Sequence, residues 1–340
     1  MRHIGTVSRG IRLPVVSKDA DLVDIVCTEL LKASKSERDL FDFRDGDIVG
    51  VTESLLARVQ GNYATLEDIA EDTRRLVPEG DVSLIFPILS RNRFGQILKG
   101  IIGGVRGKVH ILLSYPADEV GNLVIEPRNY YLRAGMLSAD LFGEKEYEEV
   151  FGRYIHPFTG VDYVKYYREM DPGRVEIHFG NNPLDALKFA DTVIVASIHA
   201  RFLHREILEK AGAKVVSIDQ FCTAPRRDGM GYNPEFGLLG SNYTNDGTLK
   251  LFPRDSGKFA KELQEELFVR TGKKIEVLVY GDGAFKDPVC GIWELADPVV
   301  SPGFTDGLLG MPKEIKLKYI ADNAGDKSPE EAVREAIRMK

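Results

Sequence analysis

An α/β fold built on a mixed sheet is the class this sequence predicts, because short apolar runs alternate with amphipathic segments along the chain. In "DGDIVGVTESLLARVQG" (45–61), Ile48, Val49 and Val51 form a brief buried run that turns into a helical pattern at Ser54. In "FADTVIVASIHARFLHREILEKAGAKVVSIDQF" (189–221), a strand near 192–198, a helix near 200–211 closed by Gly212 and a strand near 214–218 make a βαβ unit. Such a unit implies a parallel pair with a right-handed crossover.

The other elements follow from the same signals. Residues 20–33, "ADLVDIVCTELLKA", place Leu22, Ile25, Val26, Leu30 and Leu31 at helical spacing, with acidic groups early and lysine late as the helix dipole favours. Residues 82–122 read as strand, basic loop, helix, strand. The region 123–185 is rich in Tyr, Arg and Glu and is broken by "HPFTG" and "DPGR", so it reads as an irregular connection. "SGKFAKELQEELFVRTG" (256–272) has a serine N-cap signal and a glycine just past its end. It feeds the strand "IEVLVY". The C-terminal "SPEEAVREAIRMK" reads as a capped helix.

Bulk properties narrow the function. The chain has 340 residues, enough for two compact units or one enlarged α/β unit. With 43% hydrophobic and 29% charged residues it has the composition of an ordinary globular protein, and no run reaches membrane-spanning length. The N-terminal stretch lacks the apolar core and cleavage site of a secretory signal, so a cytoplasmic protein is expected. A net charge of -7 opposes nonspecific nucleic-acid binding. Cys27, Cys222 and Cys290 are odd in number and have no CxxC spacing, which argues against a disulfide framework and a thiolate zinc site; each reads as a buried small hydrophobe. GxxxxGK[ST], HExxH and GxSxG motifs are all missing.

Four segments have the residue types for chemistry, each with a plainer structural reading beside it. Asp282 follows the apolar strand between two glycines; an unshielded carboxylate at a strand end suits a hard divalent cation, but from this motif alone a tight Gly-Asp-Gly turn is the favoured reading. "LSRNRF" (89–94) sets Arg91 and Arg93 before a helix start, a combination that binds phosphate or forms a solvated basic turn. "GLLGSNYTNDGTLKLFPRD" gathers Ser241, Asn242, Thr244, Asn245 and Asp246, whose oxygens complete a cation shell or build Asx turns. "VTESLLAR" offers Glu53, Ser54 and Arg58 at a strand-to-helix turn, with Ser54 also a natural helix cap.

In chain order these segments resemble the coenzyme F420-0:L-glutamate ligase (gamma-glutamyl ligase) family. "GIRLPVVSKDADLVDIV" is similar to its opening, and "DGDIVGVTESLLARVQGN" to its strand-turn-helix motif, with Ser54 and Arg58 where the family usually has Thr and Lys. "GLLGSNYTNDGTLKLFPRD" resembles its Gly-Ile-Asp-x-Ser-Asn loop, and "GKKIEVLVYGDGAFKDPVCG" its later strand and turn. The likeness covers roughly residues 4–65 and 231–310. Residues 80–230 read as a central α/β embellishment, within a single unit spanning 1–340. Asn242 stands where the ligases present a metal-binding aspartate, and Gly283 replaces a threonine.

The resemblance implies an amide ligase that uses GTP or ATP with Mg²⁺ or Mn²⁺ to join an amino acid, L-glutamate in the family, to a carboxylated acceptor through an acyl phosphate. It implies Asp282 and Asn242 as metal ligands, Ser54, Arg58, Arg91 and Arg93 as nucleotide-binding residues, and Lys286 and Asp287 near the reacting groups. A homodimer is the oligomer it suggests. The Asn242 departure leaves open a noncatalytic nucleotide or metabolite sensor on the same scaffold.

Overall fold

The computed structural model describes residues 7–36, 40–77, 79–133, 141–226, 229–244, 246–281, 284–286, 289–290, 293–295, 300–309 and 316–339. It divides into a large unit ending at Phe304 and a small unit from Thr305.

The large unit opens with α1 (Leu22–Ser34), capped by Asp21, whose carboxylate accepts from the Asp24 amide at 3.0 Å. β1 (Ile48–Thr52) runs directly into α2 (Glu53–Val59), and β2 (Tyr63–Ala64) precedes α3 (Leu66–Leu76). Then come β3 (Val82–Ile85), α4 (Phe94–Gly104) and β4 (Val109–Leu113), as the alternating pattern requires. The segment expected to be irregular holds α5 (Pro127–Arg133), β5 (Phe142–Gly143), α6 (Glu144–Phe151), α7 (Tyr163–Arg168) and β6 (Val175–Phe179). The βαβ unit is β7 (Thr192–Val195), α8 (Arg201–Lys210) and β8 (Lys214–Ser217). β9 (Asn242–Tyr243), β10 (Leu249–Lys250), α9 (Ser256–Thr271), β11 (Glu276–Gly281), β12 (Ala284–Lys286), β13 (Trp293–Leu295) and β14 (Val300–Phe304) complete the unit. The small unit holds α10 (Leu317–Asp322) and α11 (Pro329–Met339).

Three sheets matter for the site. β1, β11 and β14 form a mixed sheet in which β1 is parallel to β11 and β14 antiparallel to it. Leu22, Val26 and Leu30 of α1 and Phe259, Leu263 and Leu267 of α9 pack with Val51, Val277 and Val279 into its core. Each such side chain contributes roughly 1.5–3 kcal/mol on burial. A six-stranded sheet, in the order β5-β6-β4-β3-β7-β8, is parallel except for β5 and draws every strand from residues between 142 and 217 or from β3 and β4. The chain builds outward from β3 through β4 to β6, then returns to the other side of β3 for β7 and β8. A small antiparallel sheet, β2-β10-β9, joins segments almost two hundred residues apart.

Three local expectations change. The strand β6 was hidden because only alternate residues of "VEIHF" are fully buried, leaving Glu176 and His178 to look like loop residues. The serine cap of α9 is not formed: Asp255 occupies the N-cap position in the left-handed region, and the Ser256 hydroxyl donates back to Pro253 O at 3.3 Å. Cys27 and Cys222 are buried, whereas Cys290 is exposed. The expected cap of α11 does form, Ser328 N donating to Glu331 Oε2 at 3.0 Å and Glu331 N to Ser328 Oγ at 3.3 Å.

Candidate active site

The β1–α2 junction is the base of the site. Thr52 takes the N-cap position, so Glu53 is the first helical residue and Ser54, instead of capping, is exposed in the first turn beside the equally exposed Arg58 one turn on. Because β1 pairs with β11 in register, Thr52 lies opposite Tyr280. The next residue, Gly281, faces the helix start so closely that a Cβ there would lie 3.2 Å from Glu53 Cγ and 3.5 Å from the Phe252 ring. Glycine at 281 therefore lets the end of β11 approach Glu53 directly.

Glu53 in turn reaches a third segment. Its Oε1 accepts a hydrogen bond from Lys250 Nζ at 2.7 Å, and both side chains are over nine-tenths buried. On β10, Lys250 is paired with Asn242 on one side and Tyr63 on the other. The phenol of Tyr63 is pushed up by burial, opposed by the Arg58 guanidinium and reinforced by Asp246 and Glu53, which places these charges around one ring. Beside Asn242, the Ser241 hydroxyl is fully buried and has no hydrogen-bond partner among the described residues. A buried hydroxyl in that state calls for an ion, a water or a ligand group.

The basic loop meets the same small sheet from the other side. Tyr243 N donates to Asn92 O at 2.9 Å, so the residue between the two arginines touches the strand that carries Asn242. Arg91 is half-buried and donates from Nη2 to Thr159 O at 3.2 Å. Arg93 is 2% exposed; burial brings its guanidinium down to about 10, with Glu119 acting in the opposite direction. At the start of α4 the Gly95 amide is taken by Ser90 O at 2.8 Å and Arg93 N by Ser90 Oγ at 3.2 Å.

The structure thus brings Ser54, Arg58, Asn242 and the end of β11 into one neighbourhood, linked by Glu53 and Lys250. Asp282 and Asp287 lie outside the described residues, as does Asn245. Lys286 is in β12 with its backbone opposite Trp293. Lys250 was missed in the sequence; the available signal was a lysine between Leu249 and Leu251, both fully buried in the fold. Among the described residues these segments carry the Asn242 amide and the Ser241 hydroxyl, with the Glu53 carboxylate already taken by Lys250. Amide and hydroxyl oxygens are donors of the kind a hard cation such as Mg²⁺ or Mn²⁺ takes.

No helix among the described residues is long and apolar enough to cross a membrane. No curated protein compared with the chain matches it. The model of the F420-0:gamma-glutamyl ligase family, however, matches residues 10–336. The likeness therefore extends through the central region, beyond the two ends where motifs alone displayed it. With nearly the whole chain covered, the protein belongs to the F420-0:gamma-glutamyl ligase family and, with it, to a class of ligases.

Proposed function

We propose that the protein is a nucleotide- and divalent-cation-dependent amide ligase that adds an amino acid, L-glutamate by family, to a carboxylated acceptor. The observation that carries this reading is the Glu53–Lys250 pair, which gathers the start of α2, the Asn242 strand and the end of β11 at one place. These are the segments whose motifs carry the family likeness.

In the proposed reaction an acceptor carboxylate oxygen attacks the terminal phosphorus of GTP or ATP, the bond to the bridging oxygen breaks, and nucleoside diphosphate leaves. The glutamate amine then attacks the acyl carbon, inorganic phosphate departs, and the amine proton passes to solvent or a nearby base. Asp282 and Asn242 would hold the cation, with the hydroxyl of Ser241, the residue before Asn242, a further oxygen. When bound, the ion neutralises phosphate charge. Arg58, on the exposed face of α2, and Arg91, in the basic loop, supply further positive charge for the same phosphates, the form of assistance phosphoryl transfer draws on most. Ser54 donates to a phosphate oxygen from the exposed first turn of α2. Lys286 and Asp287 stand a few residues beyond Asp282 and serve the incoming amine. Holding acyl phosphate and amine together removes the entropy cost of their encounter.

The test is to incubate the protein with GTP or ATP, Mn²⁺ or Mg²⁺, glutamate and a panel of carboxylated acceptors. Mass spectrometry should find an amide product together with one equivalent each of nucleoside diphosphate and phosphate. The neutral amide of Asn242, where the ligases carry aspartate, favours one other reading: a sensor that binds nucleotide without turnover. Saturable nucleotide binding with no product from any acceptor selects that reading and rejects the ligase.

A further inference from the structure

Away from this site, two neighbouring strands of the six-stranded sheet, β4 and β6, bring together a different set of donors. His110 is the second residue of β4, and its register partner on β6 is Glu176; two residues on, His178 is opposite Leu112. His110 Nδ1 lies 3.2 Å from His178 Nε2 and 3.3 Å from Glu176 Oε2. One donor atom from each of the three residues falls within 4.8 Å of the others.

Those separations have a direct chemical meaning. A tetrahedral ion with bonds of ~2.0–2.1 Å to nitrogen and oxygen sets its ligand atoms ~3.3–3.4 Å apart. The two measured spacings are close to that edge; an ion would take the place of the proton that His110 Nδ1 and His178 Nε2 share and would compete with Lys108, whose Nζ donates to Glu176 Oε1 at 2.6 Å. The rings are also held in place. Phe189 stacks on His178 with centroids 3.7 Å apart and on His110 at 5.3 Å, both at 17°. On the far side of His110, Asp81 Oδ2 stands 3.9 Å from Nε2, beyond hydrogen-bond range, and its other oxygen accepts from the Lys108 amide at 2.7 Å. His110 is almost fully buried, while Glu176 is exposed enough for an ion to enter.

We propose that His110, His178 and Glu176 form a second metal centre that binds one transition-metal ion of the zinc class, with a fourth position open to water or an anion. Two imidazoles and one carboxylate select Zn²⁺ or Co²⁺ over Mg²⁺, in contrast to the all-oxygen donors near Asn242. The two centres therefore differ in hardness as well as place.

The full-length protein, freed of metal and without nucleotide, is titrated with Co²⁺ followed by visible absorption, and with Zn²⁺ by calorimetry. One equivalent should bind with the absorption of a low-coordinate cobalt site. His178→Gln and the more exposed Glu176→Gln should each weaken binding at least tenfold while keeping the native far-ultraviolet circular dichroism. Asp282→Ala should leave it intact. Absence of a one-equivalent phase, or binding unchanged in Glu176→Gln, overturns the proposal. So does loss of the cobalt spectrum in Asp282→Ala alone, which assigns the ion to the other centre.

Discussion

Glu53 and Lys250, 197 positions apart, meet through a 2.7 Å hydrogen bond in the interior of the large unit. The pair spans the β1–α2 junction and the small sheet, so each side chain holds the other's element in place. Removing one partner deprives the other's buried charge of this hydrogen bond. Lys250→Met should destabilise the protein by about 3–5 kcal/mol, and Glu53→Gln added to it should recover much of that loss. Urea denaturation of the single and double variants measures both; additive losses would contradict the coupling.

Helices α3 and α4 cross at glycine. A Cβ on Gly104 would lie 2.4 Å from Thr73 Cβ and 2.5 Å from Ala70 O, and one on Gly100 2.6 Å from Ile69 Cβ. Gly104→Ala must push the helices apart and should cost about 1–3 kcal/mol. Gly103→Ala, whose Cβ would meet Ala70 Cβ at an ordinary 3.5 Å, should be far milder. Comparing the denaturation midpoints of the two variants checks the crossing.

Asp72 should make folding acid-sensitive. Burial alone raises its carboxyl, but hydrogen bonds from Arg75, Arg226 and the Cys222 amide outweigh it and leave the value below the ordinary one. A depressed folded value contributes stability that is present above the unfolded value of ~3.9 and lost as pH falls through the folded value. The stability gap between the protein and Asp72→Asn should therefore shrink as pH falls below about 4. A gap that stays constant from neutral pH to pH ~3 would contradict the assignment.

Asn242 offers an oxygen without charge. Asn242→Asp adds a full negative charge beside the Ser241 hydroxyl and should tighten Mn²⁺ binding severalfold, read by calorimetry. Unchanged or weaker affinity would remove Asn242 from the cation shell.

How much of this was legible follows the range of each interaction. The β1–α2 turn, the helix α9 and the βαβ unit are local patterns, and their apolar spacing in "DIVGVTESLL" and "TVIVASIHARFLHREIL" was enough to find them. β6 escaped because Glu176 and His178 interrupt its apolar run, and their setting against His110 and Phe189 exists only once β4 and β6 pair. Lys250 escaped for the same reason. A lysine in "TLKLF" reads as a solvated strand residue until Glu53 is brought to it from the other end of the chain. The cap of α9 failed at closer range, because the αL turn at Asp255 sends the Ser256 hydroxyl backward. Motif residues named their segments, and only tertiary pairing revealed which of those segments share a neighbourhood.

The most direct test is calorimetric titration of GTP in the presence of Mn²⁺ into the protein and into Asp282→Ala. The account predicts saturable, Mn²⁺-dependent binding that Asp282→Ala loses while its fold and the second metal centre persist. Equal Mn²⁺-dependent nucleotide affinity in the two proteins would contradict it.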